Sequence, residues 1–250
     1  MRRSIPIDPE PAVRLRLTSE FQLLISDRHV EVPPGVQRLL AFLAVARQPI
    51  RRSRVAGELW PEVAEWRALG NLRSVLWRLG RTRSGAVRVL GDRLTLHPSV
   101  EIDLRVLTDL ATRLLDEVDS PTLQRVAELV QATEILPGWD DEWLTVERER
   151  FRELRLRALE RACEATIERR DTDHGVQACL AAVEAEPYRE SAQRLLVRMH
   201  LSEGNRAAAL RSYLAFRDLV QTELGIEPSD LMADLVDGIG GRAAVSHTVG

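Results

Sequence analysis

The order of its periodic patterns is what most restricts the fold of this chain. Strand-type stretches come first, three helical patterns follow, a hairpin pattern comes next, and only helical patterns appear after it. This order predicts a mixed domain over residues 13–105 and an all-helical domain over residues 106–238. Flexible segments are expected at residues 1–12, which contain three prolines, and at residues 239–250.

The strand-type stretches lie at both ends of the mixed domain. Val13–Leu17 alternates apolar and basic residues, Phe21–Ile25 is an apolar run, and Val30 and Val32 bracket a glutamate. Asp27-Arg28 lies between two of these stretches and predicts a turn. A β-hairpin is expected farther on, with strands over Val87–Leu90 and Arg93–Leu96 around a turn at Gly91-Asp92.

Three helical patterns separate the first strands from the hairpin. The first places apolar residues at the i, i+3, i+4, i+7 spacing of a helix with one buried face, namely Val36, Leu39, Leu40 and Leu43. The second begins near Ser53, which is expected to cap it, and ends at Pro61. The third runs from about Trp66 to Leu79.

The second domain is expected to be a stack of helices. Its patterns cover roughly 104–118, 121–135, 140–170, 175–186, 189–203, 206–223 and 228–237. Gly204-Asn205, Ala209 and Tyr213 fit the turn and contact positions of one tetratricopeptide unit. The predicted fold is therefore mainly α with a small β component: an N-terminal winged helix-turn-helix followed by an all-α, tetratricopeptide-like helical domain.

The charge is divided unevenly between the two halves. All 35 basic residues are arginine, and the net charge is −3. Residues 1–105 hold 18 arginines against 11 acids, whereas residues 106–250 hold 17 against 27. A basic half joined to an acidic half predicts that the basic half binds a polyanion.

Several functional classes are disfavoured. The longest apolar run, Leu39–Ala46, is too short to span a bilayer, and the basic N-terminus lacks the apolar stretch of an export signal. The two cysteines exclude a disulfide scaffold and fit a reducing cytoplasm. No catalytic motif, phosphate-binding loop or metal-ligand spacing occurs, so we expect no enzyme activity, no metal and no cofactor.

The third helical pattern carries the main functional prediction. At about 100° per residue, the leucines at positions 69, 72, 76 and 79 share one arc. The opposite arc carries hydrogen-bonding side chains and no acid: Arg67, Asn71, Ser74 and Arg78. Arginine recognises guanine and asparagine recognises adenine in the major groove, so these four are expected to read bases. The alternative is an ordinary solvated face that happens to lack acids.

Phosphate contacts are expected around this helix. Helix N-termini bind phosphates, and arginines beside them or on a wing strengthen that attraction. The candidates for backbone contacts are Arg51, Ser53, Arg54, Arg73, Arg81, Arg88 and Arg93. Solvated arginines beside an ordinary cap, or arginines that protect an edge strand, are the other interpretations of these positions.

Three stretches of the mixed domain are similar to a known family. They are Val32–Leu43, Glu58-Leu59-Trp60-Pro61 and Ala68–Leu79. Together they resemble the OmpR-type winged helix of the Streptomyces antibiotic regulatory protein family. Leu136–Phe151 and Leu219–Ser229 resemble the bacterial transcriptional activator domain that follows it in that family.

The resemblance implies a transcription factor. Such a protein binds double-stranded DNA at promoter direct repeats, recruits RNA polymerase, forms homodimers or occupies tandem sites, and controls secondary-metabolite clusters. In OmpR-type domains the loop before the recognition helix contacts polymerase, and here that loop is Pro61-Glu62-Val63-Ala64-Glu65. No receiver domain or ATPase module is expected, so aspartyl phosphorylation is not the expected switch.

Two other functions stay open. One is a helical-repeat adaptor whose winged helix binds protein instead of DNA, and the other is a ligand sensor that uses the helical groove. Trp139 and Trp143 are four residues apart, so they are expected to share one helix face and to anchor helices in the core, or else to bind a partner.

Overall fold

The structure, a computed structural model, describes residues 12–170 and 175–240. The flexible segments expected at the two ends lie almost entirely outside these residues. The chain divides into two compact units, Met1–Val106 with Thr133–Arg150, and Leu107–Ala132 with Phe151–Gly250. In the described part of the chain, no helix combines the length and the apolar character that crossing a bilayer requires.

A four-stranded sheet begins the first unit. Its strands run in the order β3-β2-β1-β7, with β1 and β2 antiparallel and β1 and β7 parallel. The bounds are Val13–Arg16 for β1, Gln22–Ile25 for β2, Arg28–His29 for β3 and Val100–Ile102 for β7.

Two expectations about this sheet are wrong. The turn lies at Ser26 and Asp27, both with positive φ as in a tight hairpin, so the third strand comes before Val30 instead of spanning it. The fourth strand, β7, was not predicted at all. Its three residues pair with β1, which lies far away in the sequence. Local periodicity does not reveal pairing between segments so distant from each other.

Three helices lie between β3 and β7 in the chain, α1 (Pro34–Val45), α2 (Arg52–Leu59) and α3 (Glu65–Gly80). The four apolar positions predicted for α1 are all buried. Gly35 allows α1 to approach α3 closely, because a Cβ there would lie 3.1 Å from Cγ2 of Val75. The expected cap of α2 is wrong: the helix starts one residue before Ser53, and no side chain caps it.

The wing has the strands that the sequence predicts. They are β5 (Val87–Leu90) and β6 (Arg93–Leu96), which pair antiparallel. A third strand, β4 (Ile50–Arg51), pairs with β6 and was not predicted. Because β4 leads directly into α2, the wing and the start of α2 are held together.

Residues 133–150 complete the first unit. Leu136 donates its N–H to the carbonyl of Leu17 at 2.8 Å, next to a bridge between Thr18 and Ile135. The ring of Trp139 stacks on Phe21, with 6.2 Å between ring centroids. The segment therefore adds both backbone hydrogen bonds and an aromatic contact to the connection between β1 and β2.

The expectation of one helix face for the two tryptophans is wrong. Helix α7 spans Glu142–Arg169, so Trp139 lies before it and only Trp143 is on it. The ring of Trp143 meets Phe42 of α1 edge-on at 5.2 Å, and its Nε1 donates to Asp141 at 3.1 Å. The same carboxylate accepts from Nε of Arg38 at 3.0 Å, so Asp141 ties this segment to α1.

Helices are the only regular elements among the described residues of the second unit. Helix α4 (Asp103–Asp116) leads into it from the first unit and α7 continues into it; its other helices are α5 (Ser120–Gln124), α6 (Val126–Gln131), α8 (Gly175–Ala185), α9 (Glu190–Ser202), α10 (Arg206–Leu224) and α11 (Asp230–Gly240). The single helix expected over 121–135 is two short helices that end at residue 131. Between α9 and α10, Asn205 caps α10 by accepting the N–H of Ala208 at 3.1 Å, and Ala209 is fully buried.

The two cysteines do not fit the interpretation drawn from their number. Cys163 of α7 and Cys179 of α8 are joined by a disulfide, with their Cα atoms 5.7 Å apart. Both are fully buried beside Leu196 and Met199 of α9. The cysteine count therefore gives no support for a reducing compartment.

The N-terminus of α5 is expected to weaken in acid. Asp119 accepts the N–H of Thr122 at 2.7 Å, and hydrogen bonds to Thr122 lower the pKa of this carboxyl below its ordinary 3.8. Because the pKa is depressed in the folded state, the stabilisation is present above the unfolded pKa and is lost as the pH falls through the folded one. Protection against hydrogen exchange over residues 120–131, measured relative to the intrinsic exchange rate at each pH, should fall below about pH 4.

Asp119→Asn is the matched control for this prediction, since it keeps a capping oxygen but does not titrate. The protection of α5 and α6 in this variant should not show the acid-dependent fall. The same fall in Asp119→Asn would contradict the assignment to this carboxyl.

Candidate nucleic-acid interface

The predicted base-reading residues all lie exposed on α3. Arg67, Asn71, Ser74 and Arg78 fall within an arc of about 60°, since an α-helix turns by about 100° per residue. Ser74 donates its hydroxyl to the carbonyl of Gly70 at 3.1 Å. The four side chains therefore form one continuous polar surface, which we call the polar face of α3.

The buried side of α3 differs from the predicted leucine stripe. Its buried residues are Ala68, Leu72, Val75 and Leu79. Leu69 and Leu76 are only half-buried, so the buried stripe is rotated by about 50° around the helix axis from the predicted one. Ala68 and Val75 meet the core because α1 approaches closely on that side, which the spacing of leucines does not show.

Two exposed tryptophans lie on α3, and the sequence analysis did not assign them a role. Trp66 is 68% exposed and Trp77 is 65% exposed. The guanidinium of Arg67 lies 4.9 Å from the ring centroid of Trp66, and that of Arg81 lies 5.3 Å from the ring of Trp77. An exposed tryptophan beside arginines is typical of a surface that binds another macromolecule.

The arginines around the polar face have no acidic partner. In the described part of the chain, no ion pair involves Arg67, Arg73, Arg78, Arg81 or Arg88. In the second unit, by contrast, Arg189 bonds to both Glu153 and Glu160, and these bonds raise its pKa. The positive charge on α3 and the wing is therefore not neutralised within the first unit.

The remaining predicted phosphate contacts lie at the start of α2 and on the wing. Arg51 and Arg54 are exposed and face acids at 3.7 Å and 3.6 Å, Asp92 and Glu58 respectively. Ser53 is exposed on the first turn of α2. Arg88 and Arg93 lie exposed on β5 and β6, and Nη1 of Arg93 is 3.5 Å from the carbonyl of Pro49.

Comparison with known proteins shows what the second half of the chain is and what the chain as a whole resembles. Residues 128–239 match the model of the bacterial transcriptional activator domain. Regulatory protein AfsR of Streptomyces griseus is 27% identical to the chain over 219 residues, which cover 80% of this chain and 22% of AfsR. The chain thus carries a bacterial transcriptional activator domain and resembles regulators of the Streptomyces antibiotic regulatory protein type. It spans about a fifth of the length of AfsR.

A solved structure shares the fold of this chain. It is Mycobacterium tuberculosis EmbR in complex with a low-affinity phosphopeptide, with a TM-score of 0.68 and 19% identity. The match covers 92% of this chain and 65% of the EmbR chain. The winged helix followed by a helical activator domain, predicted from the sequence, is confirmed.

The loop before α3 is exposed. Pro61 to Ala64 form the loop, and Glu65 is the first residue of α3, so the predicted polymerase-contact segment includes one helical residue. Val63 exposes 38% of its surface, and Glu62 and Glu65 are both exposed. The segment is therefore accessible in this chain.

A groove separates α3 from the wing. It has a volume of about 370 Å³. Its walls combine arginines with apolar side chains and contain no acid: Arg52, Arg73, Leu76, Trp77, Leu79, Ala86, Val87 and Val89, with Gly80, Ser84 and Gly85 at the connection. The Nε of Arg52 is buried and has no hydrogen-bond partner among the described residues.

Proposed function

We propose that this chain is a transcriptional regulator that binds double-stranded DNA in a sequence-specific manner through the polar face of α3. The main support for this proposal is that this face and its surroundings present five arginines without an acidic partner in the described part of the chain. Uncompensated arginines attract the phosphates of a duplex, and a helix face without acids enters the major groove without repulsion.

The four side chains of the polar face supply the base contacts. Arg67 and Arg78 lie three turns apart, about 16 Å along the helix axis, so they reach bases about five steps apart. Asn71 and Ser74 lie between them. This arrangement supports readout of a half-site of about five base pairs for each winged helix.

The start of α2 and the wing supply backbone contacts in this proposal. Free N–H groups at an uncapped helix N-terminus attract phosphate, and α2 has no side-chain cap. Arg51, Ser53 and Arg54 surround that N-terminus, while Arg88 and Arg93 extend the positive surface along the wing.

The resemblance to the family also implies a type of DNA site, a protein partner and a set of target genes. We propose that the regulator binds direct repeats at promoters, as a homodimer or on tandem sites, and recruits RNA polymerase through the exposed loop that starts at Pro61. We further propose that the regulator acts in the cytoplasm. The genes that it controls would be those of a secondary-metabolite cluster.

Salt titration of duplex binding tests the proposal. The affinity of the full chain for a pool of random duplexes, measured by fluorescence anisotropy, should fall steeply with salt concentration. Arg88→Ala should lower the slope of log K against log salt by about one unit. Arg211→Ala, an exposed arginine of α10, is the matched control and should leave the slope unchanged.

An absence of salt-dependent duplex binding would contradict the proposal. It would favour the adaptor function, in which the winged helix binds another protein. A slope that changes equally in Arg88→Ala and Arg211→Ala would show that net charge, and not this surface, controls binding.

A further inference from the structure

We propose that the groove between α3 and the wing holds one sugar-phosphate strand of the bound duplex, with the indole of Trp77 packed against the deoxyribose. This inference rests on the proposed DNA binding and goes beyond the base and phosphate contacts described above. It gives α3 two functional surfaces, the polar face for bases and the tryptophan side for the backbone.

The position of Trp77 on α3 is the first reason. It lies about 90° around the helix from the centre of the polar face, on the side of Arg73. When the polar face points into a major groove, one backbone strand has to pass along a flank of the helix. The flank that carries Trp77 is the one that faces the wing.

The lining of the groove is the second reason. Each nucleotide of a backbone strand presents an apolar sugar face and an anionic phosphate. The groove presents the complementary pair: apolar surface from Trp77 and Val89, which expose 65% and 52% of their area, and the cations Arg52 and Arg73. A protein segment with acidic side chains would also fit the two cations, but it would not need the apolar surface of Trp77 and Val89 beside them.

The unsatisfied N–H of Arg52 is the third reason. Its Nε is buried beside the groove and has no partner among the described residues. Buried N–H groups are nearly always hydrogen-bonded in folded proteins. A rotation that brings this N–H to a phosphate oxygen in the groove would satisfy it and add a charge-assisted bond.

The experiment separates sugar contact from phosphate and base contact. Trp77→Ala should lower the affinity of the full chain for duplex DNA about tenfold, because apolar contact area is lost. The drop should be equal at each salt concentration and equal for the preferred and random sequences, since a sugar is uncharged and is the same in every nucleotide. Arg73→Ala, in the same groove, should instead lower the salt slope by about one unit.

Trp66→Ala is the matched control, because Trp66 is equally exposed and also pairs with an arginine but lies at the other end of α3. It should change affinity by less than about twofold, and Trp77→Phe should restore most of the loss. Thermal unfolding should be the same for all tryptophan variants, since both indoles are largely exposed.

Four results would overturn this inference while the proposed function stands. They are unchanged affinity in Trp77→Ala, a loss confined to particular base sequences, a changed salt slope in Trp77→Ala, and an equal loss in Trp66→Ala. Wild-type protein that binds no duplex at any salt concentration would overturn both.

Discussion

Replacing Arg67 and Arg78 together with alanine is expected to lower specific DNA affinity by about 10²- to 10³-fold. Each bidentate contact between arginine and guanine contributes about 1–3 kcal/mol of discrimination, and both residues lie on the polar face without an acidic partner. Binding to random duplex should fall much less, because only two of many positive charges are lost. Competition between a selected site and random DNA measures both effects.

The single variants supply the control for this prediction. Arg67→Ala and Arg78→Ala should each relax the preference at a different base pair, because the two residues lie three turns apart on α3. Arg54→Ala, at the start of α2, should weaken binding to all sequences about equally. Equal weakening of specific and random binding in the double variant would contradict base reading by these arginines.

Replacing Trp143 with alanine is expected to destabilise the first unit by about 2 kcal/mol. The change removes a half-buried ring that meets Phe42 edge-on and leaves Asp141 with one hydrogen-bond donor fewer. A loss of this size is a large part of the 5–15 kcal/mol that usually holds a domain folded. Hydrogen exchange of α1, β1 and β2 should accelerate about 30-fold.

Local exchange is the appropriate measurement because the chain has two units, and one overall unfolding midpoint does not describe them separately. Exchange in α9 and α10 of the second unit should change much less than in α1. Trp66→Ala is the control, since that ring is 68% exposed and its loss should alter stability by less than about 0.5 kcal/mol. Unchanged exchange in α1 of Trp143→Ala would contradict the assigned contact.

Local patterns in the sequence predict the elements of the winged helix well. The buried stripe of α1 and both strands of the wing follow from spacing and turn residues alone. β4 and β7 were missed because they have two and three residues and pair with distant strands. Strands this short carry no periodicity of their own, so tertiary pairing alone defines them.

The sequence does not predict that residues 133–150 belong to the first unit. Composition and periodicity change near residue 105, which predicts a domain boundary there, but the contacts of Trp139 and Trp143 group this later segment with the first unit. Aromatic spacing shows that two rings are available for packing. It does not identify Phe21 and Phe42 as the rings they meet.

The candidate site was predicted in part. Exposure and charge of the polar face follow from helical geometry, because the side chains at positions 67, 71, 74 and 78 share one arc. Trp66 and Trp77 were overlooked because large apolar side chains are assigned to a core by default. Their position beside arginines, on a helix that has no acid after Glu65, was the signal in the sequence that could have identified them.

Methylation interference on a selected duplex tests the central claim most directly. Repeated selection from random DNA with the full chain should enrich one sequence, and methylation of its guanine N7 atoms should block binding by the wild-type protein. At one of those guanines, methylation should no longer affect Arg78→Ala, because the arginine that contacts N7 is gone. No enriched sequence, or the same interference pattern in Arg78→Ala, would contradict base reading by the polar face of α3.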